Sequence, residues 1–168
     1  MARFRVLPAA IGIAVALAAT GFGMPARASG GEPEGDLVAY LDGRPIPVSE
    51  VPRYFCDDFS YPVIRCSTLQ VIVEARALVV VLAAGVDYVT IYDQANYFGT
   101  YMHVSQDYGS LLSIGWNDKI SSFRGRNSEK GRFWTDWFNG GTSWSFCCNQ
   151  NVGSLGLYNN TFSSVHRT

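Results

Sequence analysis

Short runs of apolar and β-branched residues, separated by Gly, Asn and Asp, fill the second half of the chain. Tyr88–Tyr92 is rich in the residue types that strands favour, and further short runs follow it at regular spacing. The predicted strands after it are residues 101–104, 111–114, 122–124, 132–134, 143–148, 152–157 and 163–166. Short strands at this spacing are typical of a two-sheet sandwich. The pattern therefore predicts an all-β domain over residues 86–168.

The first half has a mixed pattern. Residues 38–41 are apolar and are followed by Asp42 and Gly43, which predicts a strand and a turn. Residues 49–59 are predicted as a short helix interrupted near Pro52.

Residues 71–84 are apolar but are broken by Glu74 and Arg76. Periodicity does not decide between a buried strand pair and a helix, and a membrane span is excluded because the run is too short and carries two charges. We expect residues 29–85 to form an extension docked on the β domain. A pro-segment that covers a binding face is the alternative.

Two spaced phrases occur twice in the β half, each repeating after about 40 residues. The phrase Asn-Asp-Lys-Ile-Ser-Ser at 117–122 recurs as Asn-Asn-Thr-Phe-Ser-Ser at 159–164. Upstream of each copy lies the spacing aromatic-x-x-x-x-aromatic-x-Gly. Its members are Tyr92, Tyr97 and Gly99 in the first copy and Phe133, Phe138 and Gly140 in the second. One supersecondary unit is thus used twice, and we expect the copies to pack together as one domain.

These doubled motifs resemble those of the βγ-crystallin superfamily, specifically its microbial calcium-binding members. The family's Greek keys carry the aromatic corner and the loop motif Asn/Asp-Asn/Asp-x-x-Ser/Thr-Ser, and both copies match both motifs. The resemblance covers residues 86–168, about half of the chain, and implies a two-sheet β-sandwich of two Greek-key motifs. In each corner the glycine allows a positive φ where the hairpin folds back.

The resemblance also implies paired loops that bind up to two Ca²⁺. Each loop gives a side chain from its first two positions and the carbonyl of its third, while the fifth-position hydroxyl comes from the partner loop. The residues so named are Asn117, Asp118, Lys119 and Ser121 in the first loop and Asn159, Asn160, Thr161 and Ser163 in the second. Ser122 and Ser164 are expected to brace the turns.

Oxygen-bearing side chains within one tight turn are what a hard cation such as Ca²⁺ takes. The alternative is that these residues only satisfy backbone groups of the turns. Asp118 is the one carboxylate in the two loops, so the low ligand charge predicts weak binding, with a Kd of about 10⁻⁴ to 10⁻³ M.

Four cysteines follow the N-terminal segment. Because Cys147 and Cys148 are adjacent, and neighbours in a strand point to opposite faces, we expect Cys56 and Cys66 to staple the extension to the β domain through them. A local Cys56–Cys66 bridge is the alternative, and a zinc site is a further one, although no Cys-x-x-Cys spacing occurs.

The start of the chain predicts export. Arg3 and Arg5 precede an apolar run over residues 7–22, and a small-x-small site ends at Ala28, which is the pattern of a secretory signal peptide over residues 1–28. Cleavage removes three arginines and no acids, which takes the formal net charge from −1 to −4. A mildly acidic secreted chain is not suited to neutralising the phosphates of a nucleic acid, so nucleic acid is not expected as a partner. After cleavage of the signal peptide, a membrane is not expected as a partner either.

No catalytic pattern stands out. The sequence contains no nucleophile elbow and no His-Glu-x-x-His motif. His103, in a predicted strand, is expected to be packed or exposed and not catalytic. Asp57-Asp58 is expected to be a solvated turn, with a general-base pair as the alternative. The protein is therefore predicted not to be an enzyme.

Two alternatives from other functional classes remain. The first is a secreted effector on the same scaffold, a protease inhibitor or a killer toxin, that meets a target protein through loop 125–131 or the cluster Trp134, Trp137 and Trp144. The second is a domain that binds a polysaccharide through the same tryptophans. Packing at the corners of the sandwich accounts for these tryptophans at least as well.

Overall fold

The computed structural model describes residues 36–168, so the predicted signal peptide and residues 29–35 lie outside the described residues. The described part holds eleven strands and one α-helix, α1 (Gln70–Ala84). The strands are β1 (Val38–Leu41), β2 (Arg44–Ile46), β3 (Phe55–Ser60), β4 (Val63–Ser67), β5 (Tyr88–Tyr92), β6 (Tyr101–Val104), β7 (Ser122–Arg126), β8 (Gly131–Trp134), β9 (Ser143–Phe146), β10 (Asn151–Val152) and β11 (Ser164–Arg167). They form an eight-stranded sheet in the order β10-β7-β5-β6-β3-β4-β1-β2 and a three-stranded sheet in the order β11-β8-β9.

The second half of the chain is a pair of interlocked Greek keys. Strands β5, β6 and β7 belong to the first key, and β8 to β11 belong to the second. Strand β10 pairs with β7 of the first key, and Tyr108 of the first key bridges to Val165 in β11. The third segment of each key, which is β10 in the second key and the segment around Tyr108 in the first, therefore pairs with a strand of the other key. This topology confirms the predicted two-sheet sandwich of two Greek-key motifs.

The core between the two sheets is aromatic and aliphatic. Trp116, Phe123, Phe133 and Phe162 are each fully buried there. The ring of Phe133 lies 5.1 Å from Phe162 and 5.2 Å from Phe123, centroid to centroid. Side chains from both keys thus fill one core, as expected for two copies that cannot each close a core alone.

Two of the predicted strands are largely helical turns. Leu111–Ile114 is a 3-10 helix, and within 152–157 only the first residue continues β10 before a second 3-10 turn, Gly156–Tyr158. Residues three apart lie on the same side of a 3-10 helix, which lets Leu111 and Ile114 be buried together while Leu112 remains exposed. An apolar run of four residues suits such a turn as well as a strand.

The extension continues the first sheet. Strand β3 runs parallel to β6, with Cys56 opposite Met102, and β4, β1 and β2 follow outward. The predicted strand 38–41 and its turn are confirmed, with Asp42 and Gly43 both at positive φ. The predicted helix over 49–59 is wrong beyond its first turn. A 3-10 helix, Val48–Arg53, contains the proline, and β3 begins two residues later.

Residues 71–84 are helical, which settles the choice between strand pair and helix. Helix α1 ends at Gly85, whose φ of 63° gives the left-handed cap typical of a C-terminus. Its buried residue Val73 packs against Tyr92 and Tyr101 on the outer face of the eight-stranded sheet. Within residues 36–168, no helix is both long enough and apolar enough to cross a membrane.

The sequence predicts a solvated turn at Asp57-Asp58, and this is wrong. Both residues lie buried within β3. Asp58 accepts hydrogen bonds from the backbone N–H and hydroxyl of Ser105, at 2.7 and 2.6 Å, and from the hydroxyl of Tyr108 at 3.0 Å. Asp57 accepts one from Arg76 of α1 at 2.7 Å. Both carboxyl groups are buried because side chains from distant elements supply their partners.

The disulfides are local, so the predicted staple between the extension and the β domain is wrong. Cys56 and Cys66 face each other across β3 and β4 and are bonded, which was the alternative. Cys147 and Cys148 are bonded to each other. They lie in the turn after β9 and not in a strand, so the alternation that forbids direct pairing does not apply. Pairing of β3 with β6 joins the extension to the β domain instead.

Candidate functional site: two paired loops

The two repeated loops lie side by side and hydrogen-bond to each other. The N–H of Asp118 donates to the carbonyl of Phe162 at 3.0 Å, and the N–H of Asn160 donates to the carbonyl of Ile120 at 2.9 Å. Asp118 and Asn160 have φ values of 54° and 55°, a region that Asp and Asn tolerate better than other side chains. Ile120 and Phe162 are fully buried, so each loop is anchored by its fourth residue.

The last serine of each loop braces the neighbouring corner, as expected. Ser122 donates to the Gln94 carbonyl at 2.6 Å and accepts from the Tyr97 N–H at 3.1 Å. Ser164 repeats both bonds, to the Asp136 carbonyl at 2.7 Å and from the Asn139 N–H at 3.2 Å. These hydroxyls are committed to the turns and are not available as ligands.

The equivalent positions of the two corners are 42 residues apart, which corrects the predicted match of Phe133, Phe138 and Gly140. Gly99 has its counterpart in Gly141, with φ values of 76° and 71°, whereas Gly140 has a φ of −89°. Asn139 takes the place of Tyr97. Phe138 is 76% exposed, so the aromatic packing of the first corner, where Tyr92 and Tyr97 lie 5.6 Å apart, is not repeated in the second.

Three oxygen atoms converge at one side of the paired loops, and we call them the first oxygen cluster: the Asp93 carbonyl oxygen, Ser121 Oγ and Asn160 Oδ1. Ser121 Oγ lies 3.0 Å from each of the other two. A hydroxyl has one hydrogen to donate, so it satisfies only one of these acceptors at a time. Oxygen atoms that share a Ca²⁺ at about 2.3–2.6 Å lie about 3 Å from each other. The two distances from Ser121 Oγ are compatible with a shared cation, as they are with hydrogen bonds.

The second oxygen cluster is the symmetric counterpart and consists of Asp118 Oδ1 and Ser163 Oγ. These two atoms are 3.4 Å apart, which is looser than the contacts of the first cluster. The other carboxylate oxygen of Asp118 accepts from Asn117 Nδ2 at 2.7 Å. In both clusters a fifth-position hydroxyl of one loop meets a second-position side chain of the other loop.

The side chains of the remaining predicted ligands do not contact either oxygen cluster by a hydrogen bond, apart from Asn117 Nδ2, which donates to Asp118. Asn117 Oδ1 accepts a hydrogen bond from the indole N–H of Trp137 at 3.1 Å, and Asn159 is exposed. The side chains of Lys119 and Thr161 bond the carbonyls of Gly115 and Tyr158, respectively. Within the part of the chain that the structure describes, no hydrogen bond reaches the backbone carbonyl of Lys119 or Thr161.

Asp93 is the participant that the sequence did not indicate. Its carbonyl belongs to the first oxygen cluster, and its Oδ1 is buried without a hydrogen-bond partner. A Cβ at Gly99 would clash with this carboxylate, so the glycine leaves room for it as well as supplying the positive φ. The one signal in the sequence was that Asp93 directly follows Tyr92, the first aromatic residue of the corner. A residue that contributes its backbone carbonyl can be of any type, so its identity did not mark it.

Other candidate chemistry is limited. Among residues 36–168 there is no group of three or more His, Cys, Asp and Glu side chains that could hold a metal ion. His103 is buried beneath α1, where burial lowers its pKa to about 3, and it is hydrogen-bonded to Thr90 at 2.9 Å. Burial raises the pKa of Asp58 to about 6. Of the two positions expected for the strand histidine, packed or exposed, the structure shows the packed one.

The tryptophans proposed to meet a target do not form one surface cluster. Trp144 is half-buried against Tyr158, with ring centroids 5.3 Å apart. Trp134 is also half-buried, whereas Trp137 is 53% exposed beside the first loop. Within the predicted loop 125–131, the first two residues belong to β7 and the last begins β8.

Solved βγ-crystallin domains are similar to about half of this chain. A βγ-crystallin from an archaeon is 24% identical, with 49% of this chain and 98% of that chain covered and a TM-score of 0.44. A domain from Flavobacterium johnsoniae is 27% identical, with 48% and 92% covered and a TM-score of 0.43. A clostrillin double mutant in complex with nickel is 21% identical, with 48% and 95% covered and a TM-score of 0.42.

No protein-family model and no curated protein matches the sequence. The second half of the chain consists of two interlocked Greek keys with paired loops.

Proposed function

We propose that this is a secreted, non-enzymatic calcium-binding protein in which the two oxygen clusters each hold one Ca²⁺ that stabilises the sandwich. The first oxygen cluster carries the proposal, because the single hydrogen of Ser121 faces two acceptor oxygens at equal distance. A cation among the three oxygen atoms would satisfy all of them at once.

The donor set suits a hard cation. The first site would use Ser121, Asn160 and the carbonyls of Asp93 and Thr161. Every one of these ligands is an oxygen atom, which is the ligand type that Ca²⁺ takes.

The second site would use Asp118, Ser163 and the carbonyl of Lys119. Here Asp118 is the one charged ligand. Few charged ligands at either site imply a weak Kd of about 10⁻⁴ to 10⁻³ M, suited to extracellular calcium.

The test is a calorimetric calcium titration of the mature, disulfide-bonded protein. Ser121→Ala and Ser163→Ala remove one ligand from different sites, so each change is expected to weaken binding at its site by about tenfold, and the double variant is expected to bind almost no calcium. Ser145→Ala removes an exposed serine on β9 and serves as the matched control. An unchanged titration in the double variant would exclude the two clusters as the site.

Export is the second part of the proposal. It rests on the basic start at Arg3 and Arg5 and the apolar run that follows, and the two disulfides suit an oxidising compartment. Expression of the full chain in a secreting bacterial host should release a protein whose N-terminal sequence begins at Ser29. Retention of the whole chain in the cell would contradict this part while leaving the calcium proposal intact.

A further inference from the structure

Helix α1 presents an uncharged aliphatic surface to solvent. Its exposed large side chains are between 44% and 78% accessible, and we call them the aliphatic face: Val71, Ile72, Leu78, Val79 and Leu82. Soluble proteins usually place such residues toward the core and charges outward. In α1 the residues Val73 and Ala77 are buried as usual, but the opposite side of the helix is aliphatic as well.

Both charged residues of α1 are directed at the sheet. Arg76 donates from Nε to Asp57 at 2.7 Å and from a terminal nitrogen to the Arg65 carbonyl at 3.0 Å. Glu74 lies 3.9 Å from Nε2 of the buried His103. The Glu74 side chain remains 42% exposed and that of Arg76 26%, but neither residue is a member of the aliphatic face, which consists of uncharged side chains alone.

The spacing of the aliphatic face is that of a helix–helix seam. Val71, Ala75, Leu78 and Leu82 are separated by four, three and four residues, and all four are exposed. This alternation places one narrow row of apolar side chains along a helix, where the knobs of a second helix fit. The small side chain of Ala75 in the middle of the row allows close approach.

We propose that α1 is a dimer interface, in which the aliphatic faces of two copies pack as an antiparallel helix pair about a two-fold axis. The seam fits another α-helix, and α1 is the one α-helix in residues 36–168. A two-fold interface needs a self-complementary patch, which an uncharged row of aliphatic residues provides. A lipid surface fits less well, because helices that lie on membranes carry Lys and Arg beside the apolar side, and the exposed side of α1 has neither.

The size of the face predicts the strength of the dimer. The exposed aliphatic side chains present on the order of 500 Å², at the upper end of what monomers expose. Standard interfaces bury about 800 Å² from each partner, and smaller ones are weak or transient. Val38 and Tyr40 of β1, which are 40% and 37% exposed, add to the apolar surface of the extension. We therefore expect a weak dimer, with dissociation at about micromolar concentration.

Sedimentation velocity of the mature, disulfide-bonded protein between about 1 and 200 µM tests the dimer, since micromolar dissociation predicts a shift from monomer to dimer across that range. Leu78→Glu and Leu78→Lys should each remain monomeric, because a buried charge would oppose its own copy across the two-fold axis. An equimolar mixture of the two variants should regain the dimer. Leu157→Glu, at a residue 97% exposed in the second key, should dimerise as the unaltered protein does.

Far-ultraviolet circular dichroism establishes that each variant is folded, and Leu82→Glu replaces any position-78 variant that is not. A monomer at all concentrations, or a dimer that survives both Leu78→Glu and Leu82→Glu, would overturn the proposal. So would a monomer that co-sediments with phosphatidylcholine vesicles, which would make lipid the occupant of the face. Monomeric single variants whose mixture stays monomeric would overturn the two-fold arrangement.

Discussion

Trp137 and Asn117 belong to different Greek keys, and the indole N–H of Trp137 donates a 3.1 Å hydrogen bond to Oδ1 of Asn117. This bond occupies the side-chain oxygen at the first position of the first loop. The second position differs, because Asp118 keeps Oδ1 directed toward Ser163. The two neighbouring residues therefore have different tasks, although the loop motif allows the same residue types at both.

The first prediction separates these two positions. Asp118→Asn removes the one charged ligand of the second oxygen cluster and should weaken calcium binding at one of two sites by about tenfold or more. Asn117→Ala should change the Kd by less than about threefold, since its oxygen is already hydrogen-bonded to Trp137. Calorimetric titration measures both, and tryptophan fluorescence with Trp137→Phe as a control reports on the loop. A larger effect at Asn117 than at Asp118 would contradict the assignment.

The second prediction is that calcium stabilises a fold that exists without it. Four fully buried aromatic side chains lie in the sandwich core, and Cys56–Cys66 adds a disulfide, which is typically worth about 2–4 kcal/mol. Calcium at tenfold above its Kd adds only about 1.4 kcal/mol. The melting temperature should rise by several degrees on adding calcium, with little change in the far-ultraviolet spectrum. A random-coil spectrum in chelator that becomes β-rich with calcium would instead make the ion an obligate folding partner.

The third prediction concerns pH, because Asp58 and His103 act in opposite directions. Burial raises the pKa of Asp58 to about 6 and lowers that of His103 to about 3, whereas in an unfolded chain the values are about 3.9 and 6.5. Between about pH 4 and 6 the folded chain therefore holds an extra proton at Asp58 and lacks one at His103, relative to the unfolded chain.

The stabilisation from protonated Asp58 is complete below about pH 4 and is lost as the pH rises through 6, while that from neutral His103 is present above about pH 6.5 and is lost as the pH falls toward 3. Each contributes a slope of about 1.4 kcal/mol per pH unit, so together they cancel. Asp58→Asn should make the free energy of unfolding rise between about pH 4 and 6, and His103→Gln should make it fall. Urea titrations at several pH values measure both slopes, and slopes of the same sign would refute this account.

The fourth prediction concerns the two disulfides. Cys56 and Cys66 are 0% and 2% exposed, whereas Cys147 and Cys148 lie in an exposed turn. A reductant must reach a disulfide to open it, so brief reduction of the folded protein followed by alkylation should label only Cys147 and Cys148. Denatured protein, which should be labelled at all four cysteines, is the control. Peptide mapping that finds label on Cys56 in the folded protein would contradict the prediction.

The sequence predicted the loops better than the corners, for a physical reason. Asp118 and Asn160 occupy the same left-handed position in each loop, and that backbone conformation restricts the residue type directly. In the second corner Gly140 and Gly141 are adjacent. Phe133 and Phe138 have the spacing of the first corner when they are counted to Gly140, so the motif was matched to that glycine. Only the backbone shows that Gly141 has the positive φ.

Apart from the strand 38–41 and its turn, the extension could not be predicted from local patterns. The carboxylate of Asp57 and the sheet face that receives Arg76 come from strands distant in sequence, so nothing near 71–84 indicated that the charged residues of α1 are directed inward. Cys147 and Cys148 were misassigned because the predicted strand was extended two residues beyond Phe146. In each case a partner or a boundary set by tertiary structure decided the outcome.

The parallel pairing of β3 with β6, with Asp57 opposite His103, has a consequence for hydrogen exchange. One continuous sheet joins the extension to the Greek keys, and Val73 of α1 packs on Tyr92 of β5, so amides in α1 and in β5 are expected to become exposed in the same global opening. Ligand binding slows such openings wherever the amide lies. Calcium bound at the paired loops should therefore protect amides of α1 as strongly as those of the strands beside the ion.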